Sequence, residues 1–390
     1  MARFNPRSCQ VPFMLIALLA PSVLHAATYN AKLLYQFTAP PGESFGAPAD
    51  QSGGILHAVA HGQAVGSGDH AIVWAPDGTP TSLRPAAALG FYNSIGFATD
   101  GHSQVGYANY YGSPAHAALW TGTSNTFVDL NPANMLNSLS ESVYANQQGG
   151  WGWGPATNNA DHALLWYGSA ASAVDLHPAN YTLSHVFGND SLHQVGSAQP
   201  ADTSSGSYEH AMLWTGTAAS VVDLHPPAGY RNSRALDVAG DQQVGYADAQ
   251  AILWRGSGAS AINLHPAKFP AFTISEASAT NGIQQVGYAG TNIVGSDTHA
   301  MLWSSTPDSA VDLHLLLPDN DGIGWYNSVA DSIDADGNIF GTASTQWLVS
   351  GNTYYRYVYA VEWSPVPIPE PTTLAFFTGA AFLLRRPGRR

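Results

Sequence analysis

The chain has 390 residues, enough for one large repeat domain or two domains of ordinary size. Between Ala27 and Pro369 it carries seven basic and 26 acidic residues, a formal net charge of −19 that disfavours binding to nucleic acid or to an anionic membrane surface. The single cysteine, Cys9, lies near the N-terminus, so the body of the chain has no thiol for disulfide bonds or metal binding.

The first residues have the pattern of a secretory signal peptide. Arg3 and Arg7 precede the apolar run Val11–Ala20, and small residues follow at Ala26 and Ala27. A basic region, a short apolar region and a small-residue site in this order predict an exported protein. We expect cleavage after Ala26, which removes residues 1–26.

The body of the chain repeats one five-residue phrase, HAMLW in its clearest form, seven times. The phrase ends at a tryptophan, at positions 74, 120, 166, 214, 254, 303 and 363, so that its period is 40 to 60 residues. Self-similarity at this period indicates a propeller or a solenoid.

Each repeat contains four short segments separated by Gly, Pro, Asn and Asp, as expected for β-strands. The first segment opens with serine (Ser142–Asn146, Ser275–Asn281), the second has the form QVGYA (Gln104–Ala108), the third is the HAxLW phrase, and the fourth has the form VDLHP (Val174–Pro178). Dipeptides such as Asp100-Gly101 between the first two segments predict tight hairpins. Four antiparallel strands in each repeat predict a propeller blade.

The strand count predicts a closed ring. The third segment occurs seven times, but no fourth segment follows Trp363. An additional strand, Lys32–Phe37, precedes the first repeat, and we expect it to be the outer strand of the last blade. The sequence therefore predicts an all-β fold for residues 27–365, a seven-bladed β-propeller of four-stranded blades with no open sheet edge.

The ordered series of turn dipeptide, QVGYA, HAxLW and VDL resembles the HAF repeat family of exported bacterial proteins over most of Ser44–Trp363. The resemblance implies an extracellular repeat protein, and the family carries no generally assigned biochemical activity. This chain departs from the pattern at Gln250 and Tyr359, which replace the histidine of the phrase. It also departs at His57–Ala60, where other repeats have VGYA.

The last segment, residues 366–390, resembles the PEP-CTERM sorting signal of exported Gram-negative proteins. Pro369, Glu370 and Pro371 precede an apolar run, Leu374–Leu384, and four arginines. The resemblance implies transient tethering in the inner membrane by a transmembrane helix. An exosortase-type enzyme would then release the protein to the cell surface or the extracellular matrix. The apolar run is short against the roughly 20 residues of a spanning helix, which disfavours a permanent anchor.

The repeated histidines favour a structural role. Equivalent positions on different blades lie too far apart to share one metal ion, so we expect no metal among His70, His116, His162, His210 and His299. We expect each to satisfy a backbone group at a blade junction beside the buried tryptophan, a role that Gln250 can also fill. The same expectation holds for a second series, His177, His225, His265 and His314, which has Asn131 in one repeat.

Sequence motifs for catalysis are absent: the chain has no GxSxG, HExxH, P-loop or GxGxxG. No cofactor is expected, with one open alternative. Asp334–Asn338 (DADGN) resembles the start of a calcium loop, which makes calcium near Asp334 and Asp336 an alternative to the turn found there in other repeats. No glutamate follows at the spacing of an EF-hand.

Aromatic residues that interrupt the repeat are the candidate binding residues. Trp151 and Trp153 stand where other repeats have valine and tyrosine, and a long insertion in the last repeat carries Trp347, Tyr354 and Tyr355. Rings on a polar, acidic protein suit stacking on sugars, although packing between blades is the alternative for Trp153. Insertions in repeat folds map to one face, which favours exposure of the last three residues.

These observations predict a non-enzymatic exported propeller that binds an extracellular glycan, such as an exopolysaccharide, or a surface or matrix protein. The alternative is a glycan hydrolase or lyase with paired carboxylates at a propeller face. An enzyme requires one cluster of carboxylates with perturbed pKa values, which distinguishes the two functions.

Overall fold

The repeated segments form β-strands. The computed structural model describes residues 28–37, 56–68, 70–111, 114–202, 208–227, 229–291, 297–319, 322, 324–350 and 353–366, without the side chains of 346–350 and 353–356. This part of the chain contains 28 strands and eight short 3-10 helices, and no α-helix. None of its helices is long and apolar enough to cross a membrane. The predicted cleavage site at Ala26 and the sorting signal at Pro369, Glu370 and Pro371 lie outside the described residues.

The strands form seven four-stranded antiparallel sheets, each one blade. The N-terminal strand is β1 (Tyr29–Gln36). Blade 1 contains β2 (Leu56–Ala60), β3 (Gln63–Ser67), β4 (Ala71–Trp74) and β5 (Pro80–Ser82). Blade 2 contains β6 (Asn93–Thr99), β7 (Gln104–Asn109), β8 (Ala115–Trp120) and β9 (Val128–Asp129). Blade 3 contains β10 (Asn137–Tyr144), β11 (Gln147–Trp153), β12 (His162–Trp166) and β13 (Val174–Asp175).

Blade 4 contains β14 (Tyr181–Asn189), β15 (Gln194–Pro200), β16 (His210–Trp214) and β17 (Val222–Asp223). Blade 5 contains β18 (Ser233–Ala239), β19 (Gln242–Ala247), β20 (Gln250–Trp254) and β21 (Ile262–Asn263). Blade 6 contains β22 (Ile274–Thr280), β23 (Gln285–Gly290), β24 (Thr298–Trp303) and β25 (Val311–Asp312). Blade 7 contains β26 (Trp325–Ile333), β27 (Ile339–Ser350), β28 (Thr353–Pro365) and β1.

The 3-10 helices lie in the connections. They are Ala87–Leu89, Ser124–Thr126, Pro155–Thr157, Ala170–Ser172, Ala218–Ser220, Gly258–Ser260, Pro307–Ser309 and His314–Leu316. Five of them lie between the third and fourth strands of blades 2–6, where the chain must turn sharply to reach a fourth strand of only two residues.

The first strand of every blade lies nearest the central axis. First strands of neighbouring blades contact one another all the way round, and β2 contacts β26. The ring is therefore closed, and the protein is a seven-bladed β-propeller. We use "upper face" for the end of the blades where the second strand turns into the third, as between β11 and β12.

The N-terminal strand closes the ring as predicted. β1 pairs antiparallel with β28 from Tyr29 opposite Pro365 to Gln36 opposite Tyr359, starting three residues earlier than the predicted Lys32–Phe37. Phe37 and Tyr29 are buried. The last blade thus combines the two ends of the domain, and the edge of β28 is covered by hydrogen bonds instead of being open to other chains.

The hydrophobic core lies between adjacent blades. The tryptophan that ends each phrase is fully buried in all seven repeats. Trp254 of blade 5, for example, packs with Val195 and Leu213 of blade 4. Because each of these tryptophans packs between two blades, truncation of any one to alanine is expected to lower the free energy of unfolding by about 3–5 kcal/mol.

The glycine of QVGYA is required by a close approach of two strands. A Cβ atom at Gly196 would lie 1.9 Å from the carbonyl oxygen of His185, and one at Gly245 would lie 2.0 Å from that of Arg234. The first strand shifts register by one residue immediately after this contact, as between Val186 and Gly188. Such a bulge is a frequent device for directing a side chain next to a functional site.

The repeated histidines hydrogen-bond within the blades, and the partners of the first series differ from those expected. In blades 2, 3, 4 and 6 the first-series imidazole bonds a carboxylate of its own blade and not a backbone group: the Nδ1 atom of His162, for example, lies 2.7 Å from Oδ2 of Asp175. The same Asp175 accepts the backbone N–H of His177 at 2.8 Å. In blade 5 the pair becomes Gln250 and Asn263, whose amides hydrogen-bond, which supports the predicted role of Gln250.

The second-series histidines join neighbouring blades. His177 Nε2 lies 3.2 Å from the carbonyl oxygen of Tyr181, so it carries the proton, and Nδ1 accepts from the hydroxyl of Ser184 at 2.8 Å. Ser184 lies in the first strand of blade 4, and its hydroxyl also accepts the backbone N–H of Ala163 of blade 3 at 2.9 Å. The ring of His177 stacks on that of His162, with centroids 3.9 Å apart.

Three junctions contain such stacked imidazole pairs, which we call the histidine clasps: His162 with His177, His210 with His225, and His299 with His314. Two parallel imidazole rings about 4 Å apart cannot both be in the positively charged form without strong repulsion. Burial, and secondly the neighbouring imidazole, lower the pKa of His177 and His225 below 6.5 and that of His314 to about 4.

Opening the ring is expected to destabilise the whole domain. Deletion of residues 27–38 removes β1 and exposes both the edge of β28 and the apolar side chains that β1 covers. We expect the melting temperature, measured by differential scanning calorimetry, to fall by more than 10 °C. A synthetic peptide of the deleted residues should restore part of the loss. An unchanged melting temperature would show that β1 does not close the ring.

Acid is expected to weaken the histidine clasps. The folded pKa values of His177, His225 and His314 lie below the unfolded value of 6.5, so the unfolded chain binds more protons below that pH. Stability should be full above pH 6.5 and decline as the pH falls towards 4. Asp175 and Asp223, whose histidine hydrogen bonds outweigh burial and lower their pKa values, add to the loss only below pH 3.8.

The measurement is the melting temperature from pH 7.5 to 4.5. His314→Gln removes one titrating ring and should make the decline shallower, whereas Gln250→His, in blade 5, which has no clasp, should make it steeper. A decline that is identical in all three proteins contradicts the assignment to the clasps.

Candidate functional site

The side chains that face the central axis come from two positions of each first strand. Each junction serine is buried, and the residues one and three places after it face the axis. The first column contains Ile95, Leu139, His185, Arg234, Glu276 and Val329, and the second contains His57, Phe97, Glu141, Phe187, Leu236, Ser278 and Asp331. Glu141 of blade 3 and Arg234 of blade 5 interact although their blades are not neighbours, which indicates that both project into the channel.

Polar and aromatic side chains concentrate on one side of this channel. We call Glu141, Trp151, His185, Glu209, Arg234, Glu276 and Tyr288 the channel cluster. They come from blades 3 to 6, whereas blade 2 contributes Ile95 and Phe97. The channel is therefore asymmetric, which distinguishes it from the repeated structural positions.

Arg234 and Glu209 form the centre of the cluster. The guanidinium Nε and Nη2 atoms lie 2.7 and 3.1 Å from the two carboxylate oxygens of Glu209, a bidentate pair. Ser197 donates its hydroxyl to the same carboxylate at 2.7 Å. The guanidinium also lies 5.4 Å from the ring centroid of Phe187. Burial alone would lower the pKa of Arg234, but the Glu209 hydrogen bonds outweigh it and raise that pKa.

Glu141 and Trp151 form one side of the cluster. The indole Nε1–H of Trp151 donates to Oε1 of Glu141 at 3.2 Å, and its ring lies 5.0 Å from that of His185. His185 Nε2 lies 3.3 Å from Oδ2 of Asp161. Burial raises the pKa of Glu141 against the opposing effects of Trp151, His185 and Arg234.

Glu276 forms the opposite side. Tyr288 donates its hydroxyl to Glu276 Oε2 at 3.3 Å. Burial raises the pKa of Glu276 to about 7, since the hydrogen bonds of Tyr288 and Ser278 and the more distant charge of Arg234 only partly offset the loss of hydration. At neutral pH the carboxyl is therefore close to half-protonated, whereas an exposed glutamate is fully ionised.

Asp331 of blade 7 is a separate acidic group in the second column. Its carboxyl has no hydrogen-bond or ion-pair partner in the part of the chain that the structure describes, and burial raises its pKa to about 8. Protein surrounds Glu141, Glu276 and Asp331 on most sides, but part of each residue remains accessible to solvent. This combination is expected for side chains in a narrow channel.

Of the predicted aromatic residues, the structure places Trp151 in the channel and Trp153 outside the cluster. Trp151 pairs with Leu139, the register at which Tyr107 pairs with Ile95. Trp151 therefore occupies the tyrosine position of the repeat, not the valine position assigned from sequence. Trp153 lies at the end of β11 opposite Asn137 and is partly exposed.

The insertion in the last repeat lengthens one hairpin. β27 and β28 pair to Ser350 opposite Thr353, so that β27 continues for residues 345–350 beyond the end of the equivalent β23. Six residues of strand extend about 20 Å beyond the other blades at the upper face. The backbone of Trp347 lies opposite that of Tyr355, and Leu348 lies opposite Tyr354.

The turn considered for calcium uses its carboxylate internally. Oδ1 of Asp334 accepts the backbone N–H of Asp336 at 2.9 Å and of Asn338 at 2.8 Å, and Oδ2 accepts the amide of Asn338. Among the described residues, no group of three or more His, Cys, Asp or Glu is placed to hold a metal ion. Neither Asp334 nor Asp336 belongs to the channel cluster.

No family model matches the chain, and no curated protein matches it in sequence. Solved structures resemble it at about one-tenth identity. A structure from an analysis of two prolyl endopeptidases gives 9% identity and a TM-score of 0.45, covering 81% of this chain and 50% of that one. Puromycin hydrolase gives 9% and 0.34, covering 82% and 62%. TolB from Acinetobacter baumannii gives 10% and 0.38, covering 80% and 82%.

This chain thus spans about half to three-fifths of the length of the first two of these proteins. At such low identity and TM-score the matches carry no functional argument, and the assignment of the fold depends on the sheet topology.

Proposed function

We propose that this protein is an exported β-propeller that binds an extracellular glycan, such as an exopolysaccharide, through its central channel and upper face. The observation that carries the proposal is the channel cluster. Glu141 and His185 lie beside the indole of Trp151, and the Arg234–Glu209 pair and Glu276 lie in the same channel, where the rest of the first strands carry mostly apolar or small residues.

The chemistry of the cluster suits a sugar. A pyranose presents hydroxyl groups, which both donate and accept hydrogen bonds, and a face of C–H bonds, which packs on an aromatic ring. Glu141 and Glu276 can accept hydrogen bonds from hydroxyls, and Trp151 supplies an aromatic ring beside Glu141. A few directed polar groups with aromatic neighbours in a concavity are typical of a small-molecule or ligand-unit site.

A surface or matrix protein is the second ligand class. A stable protein interface buries roughly 800 Å² on each partner and needs an apolar centre. The channel cluster is polar and recessed, so it fits a sugar chain better than a protein surface. The extended hairpin with Trp347, Tyr354 and Tyr355 lies at the same upper face, where it supports a role in holding a long polymer.

Binding is expected to depend on Trp151 more than on Trp153. Trp151→Ala removes the ring and the hydrogen bond to Glu141, and should weaken binding of a recognised oligosaccharide about tenfold. Trp151→Phe keeps a ring and should lose less. The matched control, Trp153→Ala on the same strand, should leave affinity nearly unchanged.

The measurement is a glycan array on the purified exported protein, followed by calorimetric titration with the strongest ligand. Binding that depends equally on both tryptophans, or that survives Trp151→Ala, contradicts binding at the channel cluster.

A glycan hydrolase or lyase is the second candidate function, and a specific observation favours it. Glu141 and Glu276 both have raised pKa values in one channel, and Glu276 at about 7 has the protonation balance of a general acid. Incubation with the bound glycan, followed by detection of new reducing ends or unsaturated products, distinguishes the two functions. Product that Glu276→Gln abolishes supports an enzyme; intact glycan supports a binding protein.

We also propose that the two ends of the chain direct its export. The basic and apolar pattern before Ala26 supports secretion, and the Pro-Glu-Pro triplet with the following apolar run supports retention in the inner membrane until processing. The arginines after the apolar run favour a cytoplasmic end.

Processing is expected to end the mature protein near Pro369–Pro371. Replacement of Pro369, Glu370 and Pro371 by alanine should leave the protein tethered in the inner membrane at nearly full length. Mass spectrometry of the C-terminus of the surface-located protein provides the test. An intact Arg390 on that protein would mean that the tail is a permanent anchor.

A further inference from the structure

We propose that the channel takes a sugar unit that carries a protonated amine, so that the ligand is an amino-sugar polymer with free amines and not a uronic-acid polymer. This inference rests on the proposed glycan-binding function and adds the charge class of the ligand. It follows from four features of the channel: its charge balance, the state of its one arginine, an unpartnered carboxyl, and the aromatic rings beside these groups.

The channel holds more carboxyl groups than cationic groups. Four carboxyl groups lie there, those of Glu141, Glu209, Glu276 and Asp331, and the guanidinium of Arg234 interacts with the three glutamates. The imidazole of His185 is already paired with Asp161, and His57, which precedes the cluster in blade 1, is exposed. A charged carboxylate inside protein is costly unless an opposite charge or hydrogen bonds compensate it, so the site is incomplete without a donor or a cation.

Arg234 is not free to bind an anion. Its two bonds to Glu209 form a bidentate pair, and that carboxylate also accepts a hydrogen bond from Ser197. A uronate would have to break this bidentate pair or enter beside the other carboxyl groups, whose ionisation its own negative charge would oppose. Either path is unfavourable, because removal of one partner from an enclosed pair leaves the other uncompensated.

Asp331 and Glu141 have unused acceptor capacity. The carboxyl of Asp331 has no partner among the described residues, and Glu141 has one hydrogen bond, to Oε1, which leaves Oε2 open. An enclosed polar group without a partner is uncommon in folded proteins and is frequently completed by a ligand, an ion or water. An ammonium group donates three hydrogen bonds and carries a compensating charge, so it can complete either carboxyl group.

The aromatic residues of the site favour the same class. The guanidinium of Arg234 already lies over the ring of Phe187, which demonstrates that this channel accommodates a cation on an aromatic face. The ring of Trp151 lies beside Glu141 and His185 and offers a second such face.

Three oligosaccharides of equal length test the inference by calorimetric titration of the purified exported protein: one of glucosamine, one of N-acetylglucosamine and one of a uronic acid. We expect the glucosamine oligomer to bind about tenfold more tightly than the acetylated one, as a charge-assisted hydrogen bond predicts, and the uronic-acid oligomer to bind least. Equal or tighter binding of the acetylated or the uronic-acid oligomer overturns the inference while leaving glycan binding intact.

Proton release gives an independent measure. At pH 6 the sugar amine is charged, whereas Glu276 and Asp331, with pKa values of about 7 and about 8, are mostly protonated. An ammonium group that binds beside either carboxyl group lowers the pKa of that group and expels protons. Titrations in two buffers with different ionisation enthalpies should therefore report net proton release with the glucosamine oligomer and none with the acetylated one. Absence of release with the amine overturns the inference.

A matched pair of variants locates the effect. Asp331→Asn should reduce the affinity for the glucosamine oligomer several-fold and reduce proton release, while affinity for the acetylated oligomer stays unchanged. Asp336→Asn makes the same chemical change on an exposed turn of the same blade and should alter neither. Melting temperatures establish that both variants fold. Identical behaviour of the two variants overturns the inference, and no binding of any oligomer overturns the proposed function with it.

Discussion

One hydrogen bond between neighbouring blades fixes the geometry on which the channel depends. The backbone N–H of the first alanine in the HAxLW phrase donates to a serine hydroxyl at the start of the next blade. This bond occurs at six junctions, at Ala71–Ser94, Ala117–Ser138, Ala163–Ser184, Ala211–Ser233, Ala251–Ser275 and Ala300–Ser328, with distances of 2.9 to 3.0 Å. Because the serine is buried, loss of its hydroxyl leaves an amide without a partner. The serine also sets the strand register, so it decides which residues face the axis.

The histidine clasps and the channel cluster use charge in opposite ways. In the clasps, each aspartate accepts hydrogen bonds from an imidazole and a backbone amide, so its charge is compensated within one blade. In the channel, the carboxyls of Glu276 and Asp331 receive less compensation and shift towards their neutral forms. Repetition therefore marks the groups that stabilise the ring, and departure from repetition marks the groups that are available for a ligand.

The fold was predictable from the sequence because the same pattern of strands and turns recurs in each repeat. The strand count, the buried tryptophans and the closure of the ring by the N-terminal strand were all predicted and confirmed. The strand register within one blade was not predicted. The repeat pattern placed the start of the first strand of the third repeat at Ser142, whereas the junction serine is Ser138. Both serines occur in SLSES, and only the pairing with β11 distinguishes them.

The site was largely missed for a related reason. Its residues come one or two from each repeat and about 45 residues apart, so no local motif contains them. Alignment of the repeats on the junction serine would have revealed the column in which His185, Arg234 and Glu276 replace apolar residues. The scarcity of glutamate was a second signal, since three of the six in the chain converge on one arginine. Trp151 was found only because it interrupts a glycine-rich stretch.

The alternation of faces along the first strand separates two kinds of information. Buried positions such as Ser184 and Val186 specify how blades meet, while the positions between them, His185 and Phe187, specify what the channel contains. Substitutions in the second set leave the first set in place. The domain is thus a modular scaffold. A combinatorial library at the axis-facing columns could change the chemistry of the channel while the contacts between blades stay the same.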